Sequence, residues 1–528
     1  MAEAAPIFHF NDERSFIVEE VVARVSQAAR DPLLLLNDAA WCEIRRLEAR
    51  PGKERAEYER FRELARSLGR ISESERRRRV EEVARHYAKD IAGNFDPRVY
   101  ALSTKVLPTA LSLLLSPKDL KLGLHASNRL REHLVTQGPI ERIRALSRRG
   151  TVIFAPTHLS NLDSVVFGFA LDREGLPPAT YGAGKNLFTN PFLSYFMQNL
   201  GAYRVDRRIR HDLYKEVLKT YSSVLIERGY HSLFFPGGTR SRSGMVEEKL
   251  KLGLLGTGVE AFVHSLRRAH PQRVFVVPAT INYMLTLEAS TLIADYLAEV
   301  GRNRYIIEDD ESTRVERVVT LVRKLVMTTG SVVIRFGEPM DPFTNRVLDD
   351  GRSVDLRGRT VDPATYVTRE GQPVIDEARD AQYTRELGEA ICRSYARETV
   401  LLASHLVAGA AFGKLRDAFP GEDLFKLLRH RDEVFVPGDE MERRVADLVD
   451  RARALEDRGL VVLGPGVRGA PAAAILEAAT RAWSGYHTHA VLRPAQGGFV
   501  LGDTNLLLYY QNRLAVTGLG FHPGRRRG

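Results

Sequence analysis

A short apolar run, a polar loop and a new helix start follow one another in this chain, and this order constrains its fold more than any other feature. Residues 151–155 are β-branched, aromatic or small, which is typical of a buried strand, and Pro156 ends the run. Asp163 lies where the sequence is typical of the first turn of a helix. His158 lies between the two, in the loop. The pattern predicts an α/β unit in which Asp163 folds back onto one imidazole nitrogen and leaves the other able to take a proton.

The alternative interpretation of this segment is a loop histidine beside an aspartate that only caps a helix. Three segments further along favour the functional interpretation. Residues 201–208 form a short strand-like run that ends in a basic cluster, and residues 234–244 run from a strand into a loop rich in glycine and arginine. Residues 276–283 read as another buried strand, broken by Pro278.

In this order and spacing, the four segments resemble the motif blocks of the glycerolipid acyltransferases. Residues 183–187, 335–339 and 508–512, with the long N-terminal extension, are similar to the glycerol-3-phosphate acyltransferase branch. The resemblance is specific over about residues 140–345. It implies transfer of a fatty acyl group from acyl-CoA or acyl carrier protein to the sn-1 hydroxyl of glycerol 3-phosphate, the first step of phospholipid synthesis. It implies no metal and no cofactor.

The chemistry of acyl transfer explains why a histidine is wanted. An aliphatic hydroxyl is a poor nucleophile, and an imidazole that titrates near neutrality is the best-matched base for removing its proton. The resemblance assigns that role to His158, with Asp163 fixing the tautomer and stabilising the imidazolium. Ser160 lies two residues from His158, and its position in the family is not that of a nucleophile.

The loop after residue 235 has the residue types that would bind a phosphate group on the acceptor. Arginines can donate paired, charge-assisted hydrogen bonds to phosphate oxygens, and glycines let the backbone approach a ligand closely. The expected acceptor-binding residues are Arg207, Gly237, Gly238, Thr239, Arg240 and Arg242.

One position departs from the family pattern. The third block of the family reads Phe-Pro-Glu-Gly-Thr-Arg, and Gly237 stands where that glutamate is expected. Because glycine has no carboxylate, we expect an altered acceptor pocket. Three functions therefore stay open: acylation of glycerol 3-phosphate, acylation of lysophosphatidate or dihydroxyacetone phosphate, and lipid or membrane binding without turnover.

Patterning along the chain predicts three regions: an N-terminal helical domain (1–135), an α/β catalytic domain (136–345) and a mainly helical accessory region (346–528). Within the second region we expect strands at 152–155, 232–235, 274–278 and 331–336, and helices at 215–228 and 312–329. This alternation predicts an α/β fold with helices on both faces of a sheet. The resemblance implies the mixed central sheet of the glycerolipid acyltransferases.

The charge of the chain bears on its partners. Its 77 Lys and Arg against 67 Asp and Glu give a formal net charge of +10, which suits an anionic membrane surface, an acidic carrier protein or coenzyme A. Nucleic acid is not expected as a partner, because the sequence shows no metal-spaced Cys/His cluster, no aromatic-basic RNA motif and no strong helix-turn-helix signal. The run of arginines at 76–79 is interleaved with acids, as in a solvated helix face.

Membrane attachment is expected to be peripheral and on the cytoplasmic side. No segment has the ~18–20 consecutive apolar residues that a spanning helix needs. The nearest, at 106–115 and 400–412, are predicted to be buried or interfacial helices. No signal peptide is evident in the first ten residues, and two distant cysteines, Cys42 and Cys392, suit a reducing compartment.

Overall fold

The structure is a computed structural model that describes residues 6–48, 54–105, 134–185, 191–268, 270–301, 332–484 and 486–522. The predicted helix at 312–329 and the apolar segment at 106–115 lie outside these residues, as do positions 186 and 187 of the segment at 183–187.

The described helices are α1 (Phe10–Ala28), α2 (Pro32–Glu48), α3 (Arg55–Ser67), α4 (Glu73–Ile91), α5 (Pro97–Lys105), α6 (Ile140–Ser147), α7 (Asp163–Arg173), α8 (Pro191–Asn199), α9 (Asp212–Glu227), α10 (Leu252–Ser265), α11 (Ala289–Val300), α12 (Glu377–Glu398), α13 (Ala403–Ala418), α14 (Leu424–Leu427), α15 (Gly438–Asp457), α16 (Ala472–Trp483) and α17 (Thr504–Gln511). Short 3-10 helices lie at Pro6–His9, Pro363–Tyr366 and Asn512–Thr517.

The described strands are β1 (Leu134–Gln137), β2 (Gly150–Pro156), β3 (Thr180–Gly184), β4 (Ala202–Val205), β5 (Ser232–Leu233), β6 (Arg273–Tyr283), β7 (Val332–Phe336), β8 (Arg346–Val347), β9 (Ser353–Val354), β10 (Thr360–Val361), β11 (Thr368–Arg369), β12 (Gln372–Pro373), β13 (Val400–Leu401), β14 (Phe435–Pro437), β15 (Val462–Leu463), β16 (Leu492–Ala495) and β17 (Gly498–Leu501).

A seven-stranded sheet in the order β1-β7-β6-β2-β5-β3-β4 forms the centre of the molecule. Strands β6, β2, β5, β3 and β4 are mutually parallel, β7 pairs antiparallel with β6, and β1 pairs parallel with β7. The sheet is therefore mixed and helices flank it, which confirms the predicted α/β class with helical regions on either side in sequence.

The N-terminal helices pack on the central sheet and its flanking helices, with α9 as their main contact. Helices α1, α2 and α4 all contact α9, and their apolar faces share one core with it. Helix α4 shows why this region is helical: the Ser72 hydroxyl accepts a hydrogen bond from the backbone N–H of Glu75, which caps the first turn. As predicted, its arginine run is a surface face, where Arg77 and Arg78 pair with Glu73 and Glu75.

Pro278 does not break its strand, contrary to the sequence expectation, because β6 runs without interruption from Arg273 to Tyr283. On one edge, Val276 exchanges backbone hydrogen bonds with Met340, and the β7 ladder begins at Ala279. Pro278 lies between these two pairings, and its carbonyl accepts a hydrogen bond from Gly337 N at 2.8 Å. The missing N–H of proline costs little at a position where the ladder changes partner.

The region after β7 is an insertion of short strands followed by helices. Short strands β8 to β12 form two small hairpin sheets, and helices resume at Glu377. The apolar segment at 400–412 is not interfacial: it forms β13 and the first part of α13, which is buried against α15, α16 and α17. The division into 1–135, 136–345 and 346–528 stays a prediction.

Within the described ranges, no helix combines the length and apolar character needed to cross a bilayer.

Candidate active site

The parallel strands bring the motif segments together at one edge of the sheet. The segment with His158 follows β2, the glycine-rich loop with Arg240 follows β5, and Arg207 follows β4. Because these strands are parallel, their carboxyl ends share one edge, where α/β proteins commonly bind ligands. Segments that are up to about eighty residues apart in sequence therefore form one site.

His158 and Asp163 form the predicted pair. Nδ1 of His158 lies 2.7 Å from Oδ2 of Asp163. A carboxylate can only accept, so Nδ1 carries the proton, and in the neutral ring Nε2 has the free lone pair. The Asp163 side chain is fully buried, whereas the His158 side chain is 14% exposed. The pair thus has a protected carboxylate and an imidazole that stays partly accessible to solvent, the arrangement a general base needs.

The buried Asp163 carboxylate is satisfied by local backbone and by one distant hydroxyl. Oδ2 also accepts hydrogen bonds from the backbone N–H of Leu159 at 2.6 Å and of Ser160 at 2.9 Å. Oδ1 accepts from the Tyr283 hydroxyl at 2.7 Å. The loop therefore folds around the carboxylate at the start of α7, and Tyr283, at the end of β6, fixes its other oxygen. Burial and the neighbouring Asp163 carboxylate raise the pKa of Tyr283, which keeps it a donor.

The loop after β5 holds His158 from the other side. The imidazole stacks on Phe235, with ring centroids 4.2 Å apart and planes inclined by 21°. The His158 carbonyl accepts a hydrogen bond from Ser241 N at 2.7 Å, and the His158 N–H donates to Oε1 of Glu247 at 2.9 Å. The ring and both backbone groups of His158 are thus anchored to one loop.

A buried glutamate joins the motif segments to the predicted phosphate-binding arginine. Glu288, directly before α11, accepts hydrogen bonds from the Ser160 hydroxyl at 2.8 Å and from Asn161 N at 3.0 Å. Nη1 of Arg240 lies 3.3 Å from Oε1 of Glu288. Because Ser160 donates to this carboxylate, it contributes to the shape of the loop.

The other predicted acceptor-binding residues are distributed around Arg240. Arg207 is exposed, and the surrounding protein and the nearby Arg240 cation both lower its pKa. Thr239 is exposed beside Arg240. Arg242 lies 2.8 Å from Glu299 at the end of α11, so it is paired with a surface carboxylate.

Different structural constraints favour glycine at positions 237 and 238. Gly238 has φ +75°, a left-handed conformation that favours glycine, and an added Cβ would lie 2.4 Å from the Lys251 side chain. At Gly237 the backbone is ordinary, but an added Cβ would meet the Glu247 side chain at 3.2 Å.

The C-terminal region supports the same loop. The Asn512 side chain donates to the Ser243 carbonyl at 2.8 Å, and a Cβ at Gly244, where φ is +78°, would lie 2.3 Å from the Tyr509 carbonyl. Helix α17 and the residues after it therefore hold the loop in place, a role that the sequence did not predict.

Sequence reasoning missed three side chains of this site: Tyr283, Glu288 and Glu247. Tyr283 ends the fourth motif block and Glu288 follows it by five residues, so proximity to a block was an available signal. For Glu247 the only signal was indirect, the missing side chain at Gly237. Among the residues that the structure describes, no group of His, Cys, Asp and Glu is arranged to hold a metal ion.

Residues 139–282, which contain the His158–Asp163 pair and the Arg240 loop, match the family model described as Acyltransferase. This part of the chain has the sequence pattern of the Acyltransferase family. The resemblance inferred from the four motif segments is thereby confirmed.

Curated relatives include proteins named glycerol-3-phosphate acyltransferase. That of Pseudomonas aeruginosa is 27% identical over 289 residues, which are 54% of this chain and 31% of the relative. That of Alteromonas mediterranea is 26% identical over 325 residues, 60% of this chain and 37% of the relative. The chain thus spans about a third of the length of the curated relatives it matches.

Among solved structures, the 1-acyl-sn-glycerophosphate (LPA) acyltransferase PlsC from Thermotoga maritima is similar at 16% identity with a TM-score of 0.26. That similarity covers 56% of this chain and 91% of the other.

Proposed function

We propose that this protein transfers a fatty acyl group from a thioester, acyl-CoA or acyl carrier protein, to the sn-1 hydroxyl of glycerol 3-phosphate. The observation that carries the proposal is the His158–Asp163 pair, whose loop is tied to Arg240 through one buried carboxylate. The relatives named glycerol-3-phosphate acyltransferase support the choice of acceptor.

His158 acts as the general base in this proposal. Nε2 takes the proton of the acceptor hydroxyl while its oxygen attacks the thioester carbonyl carbon. A C–O bond forms, the C–S bond breaks, and the proton passes from Nε2 to the departing thiolate sulfur. Asp163 keeps the ring in the required tautomer and stabilises the imidazolium between the two proton transfers. No acyl-enzyme intermediate is needed.

Arg240 and Arg207 bind the acceptor phosphate in this proposal. Two neighbouring cations repel each other, and a bound dianion relieves that repulsion. Glu288 orients Arg240 through their ion pair, and N–H groups of the guanidinium can donate to a phosphate. Gly237, Gly238 and Thr239 carry the backbone that approaches the phosphate, and Arg242 lies at the rim of this loop.

Attachment to an anionic membrane surface on the cytoplasmic side fits a lipid product and the net charge of +10.

The proposal is tested by incubating the purified protein with labelled glycerol 3-phosphate and palmitoyl-CoA. We expect lysophosphatidate, and we expect His158→Ala to lower the rate about 10²- to 10⁴-fold, as loss of a general base does. His270→Ala, at an exposed position away from the motif loops, is the matched control and should retain the rate.

Parallel reactions separate the alternatives. Turnover with lysophosphatidate or dihydroxyacetone phosphate but not with glycerol 3-phosphate would move the acceptor to the second candidate. Liposome binding with no turnover on any acceptor would contradict an enzymatic function.

A further inference from the structure

Gly237 adjoins a carboxylate that comes from elsewhere in the same loop. A Cβ at position 237 would lie 3.2 Å from Cγ and 3.3 Å from Oε1 of Glu247. Both distances are tighter than ordinary van der Waals contact. A side chain at position 237 and the present side chain of Glu247 therefore compete for the same space.

Glu247 reaches the proposed base through the backbone. Its Oε1 accepts the hydrogen bond from His158 N at 2.9 Å, across 89 residues of sequence. Its Oε2 is buried, and no hydrogen-bond donor contacts it among the residues that the structure describes. Burial raises the pKa of Glu247, while its contact with His158 and the Arg513 cation oppose that rise. Water does not solvate this oxygen, so burying the carboxylate costs free energy that a contact within the protein has to offset.

The hydrogen bond to Glu247 is one of two that fix the backbone of His158. Ser241 N donates to the His158 carbonyl at 2.7 Å, and His158 N donates to Glu247. Both backbone groups of His158 therefore bond to residues 241–247. Without the Oε1 acceptor, the His158 N–H would lose its partner, and the backbone of His158 would be held on this side only through its carbonyl.

We propose that Glu247 is a positioning residue for His158, and that it supplies, from ten residues further along the loop, the carboxylate that the family resemblance leads one to expect at position 237. The inference rests on the proposed acyl transfer. It makes Gly237 and Glu247 one functional unit: the glycine provides the space and the glutamate fills it. The departure from the family pattern is then compensated within the same loop.

Exchanging the two positions tests this unit. Glu247→Ala should lower kcat about 10- to 100-fold, as loss of a buried hydrogen bond to a carboxylate does, with each KM changed less than about threefold. Glu247→Gln keeps an oxygen that accepts from His158 N and should recover at least about tenfold in kcat over Glu247→Ala. The double variant Gly237→Glu/Glu247→Ala should recover a similar factor. Glu248→Ala, at the exposed neighbouring glutamate, is the matched control.

Thermal unfolding of the same variants supplies a readout that does not need turnover. Gly237→Glu alone should lower Tm because two side chains compete for one space, and the double variant should melt above both single variants. Additive Tm changes, or a double variant no more active than Glu247→Ala, would overturn the inference.

Failure of the proposed function looks different. In that case the wild-type protein is inactive on every acceptor, while the Tm cycle still decides whether positions 237 and 247 form one unit.

Discussion

Replacing Asp163 with asparagine removes one negative charge from the site and keeps the shape of the side chain. In the present structure, Oδ2 accepts from the His158 ring and two backbone N–H groups, and Oδ1 accepts from Tyr283. An amide oxygen can take over the Oδ2 position, and an amide N–H can donate to the Tyr283 oxygen. The variant therefore tests charge more than geometry.

The expected loss follows from the distance between the charges. With Oδ2 2.7 Å from Nδ1, the charge centres of carboxylate and imidazolium are about 4 Å apart. At an effective dielectric constant of about 20, their attraction is about 4 kcal/mol. Because the imidazolium forms only as the proton is transferred, this energy lowers the barrier, and losing it costs about 10³-fold in rate.

The assay is the steady-state kcat of Asp163→Asn with glycerol 3-phosphate and palmitoyl-CoA. Thermal unfolding serves to check that the variant is folded. Asp172→Asn, on the same helix but bonded to Tyr100, is the matched control and should change kcat less than about twofold. A folded Asp163→Asn variant with kcat within about tenfold of wild type would refute the role of the aspartate as stabiliser of the imidazolium.

Three further predictions concern the phosphate, acid stability and the membrane. Arg240→Lys should raise KM for glycerol 3-phosphate about tenfold, because lysine lacks the planar guanidinium that can donate two hydrogen bonds to a phosphate. KM for the acyl donor should change less than about threefold, and equal changes of the two KM values in steady-state assays would contradict phosphate binding. Burial lowers the pKa of His231 from 6.5 to about 4 in the folded protein. As the pH drops below about 6.5, the unfolded chain therefore binds a proton before the folded protein does, and the free energy of unfolding falls. Urea unfolding should therefore show that the free energy of unfolding lost between pH 7 and pH 4.5 is about 2–3 kcal/mol smaller in His231→Asn than in wild type. An equal loss in the two proteins would contradict this assignment. Sedimentation with anionic liposomes should be strong at low salt and weak at high salt, since screening limits charge attraction to ~8 Å near physiological ionic strength; equal binding to neutral liposomes would exclude charge as the attachment.

The sequence alone was informative where the signal is local. His158 and Asp163 are five residues apart, and the strand, loop and helix that carry them form within one short segment. The apolar run, the helix start and the glycine-rich loop are short-range patterns, and for that reason they predicted the α/β class and the motif segments.

Burial and strand continuity could not be predicted in the same way. The segment at 400–412 is apolar whether it faces lipid or protein, and only its packing under three helices shows that it is core. Pro278 looks like a strand breaker in sequence, and only the change of partner along β6 makes it acceptable.

The supporting side chains of the site depend on contacts across the whole domain. Tyr283 reaches Asp163 over 120 residues, and Glu247 reaches His158 over 89. A hydrogen bond of this kind depends on which strand ends adjoin in the sheet, and no spacing in the sequence encodes that order. The sequence by itself singled out His158, Asp163 and the arginine loop. The tertiary structure decided which buried groups hold them, because parallel pairing brings distant strand ends to one edge.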